Sequence, residues 1–174
     1  MNSLESQFHN LNLFCQMNWD EVTTEYENYY MELSFPEYLQ QKALEGDCPD
    51  YLYELAYFEM ALNQVKNEKL VYPYLPGVYL NPSCVFLSLE YNIPSMITLA
   101  QDGNPTLIEK DCFICCYQNT LGEVKALELT EGELQILKLL EDGPAFDYKV
   151  FEDFESESFR QLCSREIILD LLKL

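Results

Sequence analysis

The most regular hydrophobic pattern in the chain predicts a long helix over residues 50–66. Its apolar residues recur at alternating steps of four and three positions, which is the repeat of one helical face. A second apolar stripe, of Tyr53, Tyr57 and Met60, lies beside this face, so the helix needs cover on two sides. The pattern favours a helix at the centre of its own domain, and the alternative is that one stripe contacts a neighbouring domain or a partner. The first face consists of Tyr51, Leu55, Phe58, Leu62 and Val65.

The segments on either side of this helix divide the chain into two predicted domains. The residues before it have the pattern of helices joined by loops, with a break at Phe35-Pro36. Residues 70–83 contain three prolines and a glycine, which is typical of a connection. We therefore expect a helical N-terminal part over residues 1–75 and a second domain over residues 76–174.

The second domain begins with the pattern of β-strands. Alternating apolar positions predict a strand over 84–90, and a short helix follows it through Ala100. Two further strands, at about 107–117 and 123–129, are joined as a hairpin around Asn119–Gly122.

The rest of the sequence predicts three helices. A capping-box pattern at Thr130 and Glu133 opens the first, because these two side chains can satisfy each other's main-chain amides. A short helix near 146–153 comes next, and the last helix runs from residue 156 or 158 to about residue 173. Three strands and three helices predict an α+β fold, in which the N-terminal helical part precedes a small winged-helix-like domain similar to peptide-recognition elements.

A sheet of so few strands must expose an edge. An edge strand presents unpaired main-chain amides and carbonyls, and an extended peptide can pair with them. Charged residues interrupt the apolar positions of strand 123–129, which predicts that this strand forms the edge and that the peptide's side chains lie against the last helix. The predicted peptide-binding residues are Glu123, Val124, Lys125, Ala126, Leu127 and Glu128 in the strand, with Phe159, Cys163, Ile167 and Leu171 in the helix.

The composition is strongly acidic, with 30 acidic against 10 basic side chains and a formal net charge of -20. This charge repels phosphate backbones and anionic lipid headgroups, so we expect neither nucleic acid nor a membrane as partner. It attracts a basic peptide, although solubility alone also explains an acidic surface. A DNA-binding regulator is the alternative for a winged-helix domain, but the last helix sets Arg160, Arg165 and Lys173 against three acidic residues and has no basic stripe.

Few side chains in the sequence suit catalysis. His9 is the single histidine, whereas zinc hydrolases, iron oxygenases and Ser-His or Cys-His nucleophilic sites need a histidine held in a pocket. The glycine-rich loops that bind phosphates are missing from the sequence. We therefore expect no catalytic residue and no cofactor in this chain.

The cysteines are compatible with a metal site at one place, Cys112-x-x-Cys115-Cys116. Zinc and iron–sulfur clusters need four ligands, and the other cysteines are scattered singly, so a buried strand explains this segment better. Seven cysteines are an odd number, and the first residues lack the pattern of a secretory signal, which predicts reduced thiols in the cytoplasm. No apolar run in the sequence reaches the about 20 residues of a membrane helix.

Three segments resemble a known protein family. They are the helix at 52–62 with its Leu-Tyr-Glu-Leu-Ala-Tyr-Phe-Glu sequence, the segment at 79–94, and the hairpin followed by the leucine and glycine spacing of 134–143. Over about residues 48–172, their order and spacing resemble the two-domain proteins encoded beside barrel-type multinuclear iron oxygenases. Among these proteins, the chain most resembles the short, acidic MbnC-like subunits of methanobactin biosynthesis.

The resemblance implies a function that depends on a second protein. It implies a heterodimer with the iron-bearing barrel, and the complex oxidises cysteines of a ribosomally made precursor peptide to oxazolone and thioamide groups with iron and dioxygen. This chain would recruit the leader of that precursor, a short and usually basic segment. The iron is expected in the partner subunit.

Overall fold

The computed structural model describes residues 4–14, 19–30, 32–152, 154 and 156–172. The helices are α1 Leu4–Gln7, α2 Leu11–Phe14, α3 Trp19–Tyr29, α4 Phe35–Glu45, α5 Asp50–Asn67, α6 Ile93–Gln101, α7 Glu131–Lys138 and α8 Ser156–Ser164, with a 3₁₀ helix at Tyr148–Phe151. The strands are β1 Val78–Leu80, β2 Val85–Tyr91, β3 Glu109–Gln118, β4 Val124–Leu129 and β5 Ile168–Asp170.

The strands form two small sheets beside the helices, which confirms the predicted α+β class. The larger sheet has the order β2-β3-β4, and β3 and β4 form the predicted antiparallel hairpin. β1 and β5 form a separate antiparallel pair, in which Val78 lies opposite Asp170. The hydrophobic pattern did not predict β1 and β5, because a strand of three residues is too short for an alternating pattern.

The chain separates into two compact units. The first unit contains Met1–Asn63 and Ser88–Cys112, and the second contains Gln64–Leu87 and Phe113–Leu174. Strands β2 and β3 therefore each continue from one unit into the other. The domain boundary predicted after residue 75 stays a prediction.

In the first unit, helix α5 carries two buried glutamates that bind main-chain amides. The Glu59 carboxylate accepts from the N–H groups of Asn10, at 2.7 Å, and Leu11, at 3.1 Å. The Glu54 carboxylate accepts from the N–H groups of Glu90 and Tyr91. Burial raises the pKa of both carboxyl groups. The helix thus fixes two distant segments by charge-assisted hydrogen bonds as well as by its apolar faces.

Helix α4 of the first unit begins at Phe35, so the predicted break lies just before this residue. The Ser34 N–H and hydroxyl both donate to the Glu37 carboxylate, and Pro36 occupies the first turn, where a missing amide does no harm. The Phe35 ring contacts several other aromatic rings, with centroids 5.0 Å away for both Phe8 and Tyr26. The start of α4 is therefore fixed by the aromatic core.

The second unit has one apolar core beneath the hairpin and helices α7 and α8. Cys115 and Tyr117 of β3, with Leu129 of β4, pack there against the helices. The further buried members are Val78, Ile136, Leu137, Leu140, Ala145, Phe151, Leu162, Ile167 and Ile168. At the start of α7, the Thr130 N–H donates to the Glu133 carboxylate and the Glu133 N–H donates to Thr130 Oγ1, which confirms the predicted capping box.

Asn81 joins three segments of the second unit through its buried side-chain amide. Its Nδ2 donates to the carbonyl oxygens of Gln118, at 3.0 Å, and Glu166, at 2.8 Å. Its Oδ1 accepts from the N–H and hydroxyl of Ser83. Both ends of the amide are therefore fully used at a side chain that is 1% exposed.

The last helix is shorter than the sequence predicted. Helix α8 ends at Ser164, and the chain reverses at Glu166, whose φ of 61° lies in the left-handed region. Strand β5 follows, so the predicted helix is wrong from residue 165 onward, and Lys173 lies outside the described residues. Ile167 and Leu171 continue the helical spacing in the sequence. In the structure, however, both residues come after the reversal at Glu166 and are not helical.

Replacing Asn81 by Ala should destabilise the protein by about 3 kcal/mol, because buried donors and acceptors lose their partners. Urea denaturation followed by circular dichroism measures the free energy of unfolding. Asn104→Ala is the control, since Asn104 is an exposed asparagine that follows the turn at 102–103. Equal stability of the two variants would contradict the role given to the Asn81 amide.

Replacing Glu59 by Gln should flatten the dependence of stability on pH. Because the pKa of Glu59 is raised in the folded state, its stabilising contribution is complete below the ordinary value of 4.5 and is lost as the pH rises through the raised pKa. The free energy of unfolding measured between about pH 4 and pH 8 should therefore fall less steeply in the variant.

Glu68→Gln is the matched control for that comparison. It also removes one negative charge, but from an exposed side chain, so the general effect of net charge is the same in both variants. Identical slopes in the two variants would show that Glu59 does not titrate with a raised pKa.

Candidate functional site

Strand β4 forms an edge of the three-stranded sheet, where the sequence predicted it. It pairs with β3 along its whole length, from Val124 opposite Gln118 to Leu129 opposite Phe113. Among the described residues, no further strand of this sheet lies beyond β4. One side of β4 is therefore available for main-chain pairing with another segment.

The hydrogen-bond alternation of an antiparallel pair shows which amides of β4 lie on that side. The Asn119 N–H donates to the Glu123 carbonyl, which marks this pair as a hydrogen-bonded one. Alternate residues along β4 then face β3, beginning with Lys125 and Leu127. The main-chain groups of Val124 and Ala126 point away from β3, toward the open edge.

The side chains of β4 differ between its two faces. Leu127 and Leu129 contact the apolar core of the second unit. Val124 and Ala126, on the opposite face, are half-buried. At the hairpin end, the exposed Lys125 ammonium lies 2.9 Å from the Glu123 carboxylate. The six predicted strand residues therefore form one continuous segment that ends at the exposed Glu128.

The other edge strand, β2, is less suited to pairing. Near its end, the N–H groups of Glu90 and Tyr91 already donate to the buried Glu54 carboxylate at 2.9 to 3.1 Å. A peptide that paired there would have to displace this carboxylate and leave it buried without its donors, which is costly. Main-chain recognition is therefore more favourable at β4.

The predicted helical half of the site is only partly available to a ligand. Phe159 and Cys163 of α8 are half-buried against the core, and the Phe159 ring lies 4.8 Å from Phe151 and 6.4 Å from Tyr148 between centroids. Ile167 is fully buried, so a peptide cannot reach its side chain in this fold. Phe159 and Cys163 are thus the partly exposed members of the helical half, and their part in peptide binding stays a prediction.

Leu171, the last predicted member, lies beyond strand β5 rather than on a helix. It is half-buried, and its N–H donates to the Gly77 carbonyl at 2.8 Å. Beside it, the Tyr148 hydroxyl donates to the Asp170 carboxylate, at 2.7 Å to one oxygen. The sequence did not predict the contact between Tyr148 and Asp170, because it depends on the reversal after α8.

The charges of α8 and the following turn are largely balanced within the second unit. The Arg165 guanidinium donates to the Glu133 carboxylate at 2.9 Å, and the Glu133 side chain is completely buried. Arg160 is exposed, but Glu157 is exposed on the same helix. The described part of α8 therefore presents no basic stripe.

The second predicted stripe of helix α5 is partly exposed in the first unit. Tyr53 and Tyr57 are half-buried, with ring centroids 6.4 Å apart and nearly perpendicular planes, and Met60 is 36% exposed. Burial raises the pKa of both tyrosine hydroxyls, so they stay protonated donors at neutral pH. Half-exposed tyrosines are common at protein interfaces, because the ring packs while the hydroxyl binds water or a partner.

Acidic residues also line two open hollows of the first unit. One lies along α3 and is bordered by Asp20, Glu21 and Glu25. The other is bordered by Glu90, Glu109 and Asp111, with Lys110 as its basic member. Both hollows extend the negative surface that the composition predicted.

The cysteine segment of β3 is buried, as the sequence analysis expected of a strand apolar on both faces. Cys112, Cys115 and Cys116 are each at most 4% exposed, and burial raises the pKa of Cys116 to about 12. In the described part of the chain, no group of three or more His, Cys, Asp or Glu side chains is placed to hold a metal ion. His9 is exposed in the turn between α1 and α2, and Cys15 lies outside the described residues.

No protein-family model and no curated protein matches this chain. Within the described residues, the helices are too short or too polar to cross a membrane. The resemblance to MbnC-like subunits therefore stays a prediction.

Amide hydrogen exchange followed by NMR can test the open edge of β4. The amides of Val124 and Ala126 should exchange at least about tenfold faster than those of Lys125 and Leu127, which are bonded to β3. The alternation within one strand serves as its own control. Slow exchange at all four amides would mean that another part of the chain covers the edge.

Proposed function

We propose that this chain is a non-catalytic subunit that pairs with an iron-dependent oxidase and binds the leader of a ribosomally made precursor peptide. In this role it resembles the MbnC-like subunits of methanobactin biosynthesis. The partner would hold the iron and oxidise cysteines of the precursor to oxazolone and thioamide groups. The chain itself would work in the cytoplasm and would contribute the binding surface.

The open edge of β4 is the observation that carries this proposal. Its outward amides at Val124 and Ala126 can hydrogen-bond to the backbone of any extended segment, whatever its side chains. Selectivity would then come from the side chains beside the edge. Glu128 is exposed there, so a Lys or Arg of the peptide would meet a carboxylate on the neighbouring strand.

The net charge of -20 supports a cationic ligand. Long-range attraction raises the rate at which a basic peptide meets the surface, and the effect weakens with added salt. The affinity for a basic leader should therefore fall as the ionic strength rises. A neutral peptide would show little such dependence.

A DNA-binding regulator, the alternative from the sequence, has less support. Its recognition helix would have to present cations to phosphates, whereas Arg165 is bound by Glu133 and Arg160 stands near acidic residues. A mobility shift of duplex DNA at physiological salt would favour this alternative over the peptide.

The partly exposed stripe of Tyr53, Tyr57 and Met60 is the proposed contact with the oxidase. Tyrosine and methionine are enriched at protein interfaces, and the stripe belongs to the first unit, whereas β4 belongs to the second. Partner and peptide would therefore use different surfaces of the chain.

Affinity purification of the chain from its source organism tests the pairing. The expected result is an iron-containing protein that elutes with it in a constant ratio. Conversion of the precursor peptide by the isolated chain would contradict a non-catalytic role.

Replacing Val124 or Ala126 by Pro should weaken leader binding by about tenfold, because each change deletes one outward amide. These positions do not donate to β3, so the hairpin keeps its own hydrogen bonds. Fluorescence anisotropy of a labelled leader peptide measures the affinity, and circular dichroism shows whether the variants are folded.

Val124→Ile is the matched control, because it keeps the amide and a β-branched side chain. It should bind the leader like the unchanged chain. Unaltered affinity in the folded proline variants would place the peptide elsewhere on the protein.

A further inference from the structure

Two cysteines of the second unit lie in direct contact, and neither has a part in the proposed peptide site. Cys84, just before β2, and Cys115, in the middle of β3, have their sulfur atoms 3.5 Å apart. Both are reduced in this structure. They are 31 residues apart in sequence, so the contact is made by the fold and not by local spacing.

The two thiols differ in their access to solvent. Cys115 is completely buried in the core, whereas Cys84 is half-buried at its border. A small oxidant such as hydrogen peroxide should therefore react with Cys84 before Cys115. The hydrogen bond to Cys84 and burial raise the pKa of Cys115, so its sulfur stays a thiol in the reduced protein.

From this geometry we propose that Cys84 and Cys115 form a reversible disulfide when hydrogen peroxide oxidises Cys84. In the first step, the Cys84 thiolate attacks the peroxide, and its sulfur becomes a sulfenic acid as hydroxide leaves. In the second step, the Cys115 sulfur attacks the Cys84 sulfur, the S–S bond forms, and the sulfenic hydroxyl leaves as water with the proton of Cys115. A dithiol reductant reverses the reaction.

The movement required is small. A disulfide needs the sulfur atoms at about 2.05 Å, so they must approach by about 1.5 Å, which rotation of two side chains in neighbouring segments can supply. Cys116 is the rival for Cys84, since it is the next residue and also completely buried. Its side chain, however, points to the opposite face of β3.

Peptide mapping after treatment with hydrogen peroxide tests the proposal on the full chain. Trypsin separates residues 70–110, in which Cys84 is the single cysteine, from residues 111–125, which contain Cys112, Cys115 and Cys116. The expected product is this pair of peptides joined, with a mass lower by two hydrogen atoms. It should disappear on reduction.

Two matched variants identify the second sulfur. Cys115→Ala and Cys116→Ala each remove one completely buried sulfur from the same strand, so their effects on folding are comparable. Crosslinking should fall at least about tenfold in Cys115→Ala and stay within about twofold in Cys116→Ala. Circular dichroism confirms that both variants are folded under the conditions used.

Each other outcome overturns the proposal. Loss of the crosslink in Cys116→Ala alone would show that Cys84 bonds to Cys116 and not to Cys115. No joined peptides in the folded, unchanged chain would mean that the contact is a packing contact between thiols. If Cys115→Ala is unfolded, tandem mass spectrometry of the joined peptides from the unchanged chain identifies the second sulfur, and a bond to Cys112 or Cys116 would refute the proposal.

Discussion

The buried amide of Asn81 is the interaction on which the arrangement of the second unit depends. Its two N–H groups bind the carbonyl oxygens of Gln118 and Glu166, and the second contact spans 85 residues of sequence. Gln118 is the last residue of β3, so the amide fixes the point where the hairpin begins. The Gln118 N–H also donates to the Ser83 hydroxyl, which itself donates to the Asn81 oxygen. Because the network has no spare donor or acceptor, a change at any member leaves another buried group unpaired. The position of the β4 edge therefore depends on an amide that lies outside β4.

Glu166 secures the turn end of the same hairpin through a second set of contacts. Its left-handed backbone costs about 1 to 2 kcal/mol for a residue with a side chain, and such a cost persists only where contacts offset it. The Glu166 carbonyl binds Asn81, and its carboxylate accepts from the N–H and hydroxyl of Thr120 at the hairpin tip. A glycine would adopt this backbone more easily but would lose the carboxylate. The reversal after α8 and the orientation of the hairpin are thus one structural feature.

The sequence predicted the features that depend on neighbouring residues. The capping box at Thr130, the hairpin around Asn119–Gly122 and the helix over 50–66 all follow from local spacing, and the structure has all three. It could not predict the Asn81 network or the pairing of β1 with β5, because these join residues that are far apart in the chain. For the site, the charged positions of β4 identified the edge strand correctly. The prediction for the helical half of the site was less accurate. Ile167 continues the helical spacing in the sequence, although the chain has already reversed at Glu166.

An open edge strand favours association of a protein with its own copies, and the charge of this chain opposes that outcome. Two copies that paired through β4 would bring together two surfaces of net charge -20, and the carboxylates of Glu123 and Glu128 would lie near their counterparts. A basic segment has the opposite effect, because each Lys or Arg reduces the repulsion as it approaches. The main-chain groups of β4 would pair equally well with a second copy of β4 or with a basic peptide segment. In the proposed role, the acidic surface would therefore distinguish a cationic peptide from a second copy of the chain, and the charge that opposes self-pairing at the edge would also make the edge selective.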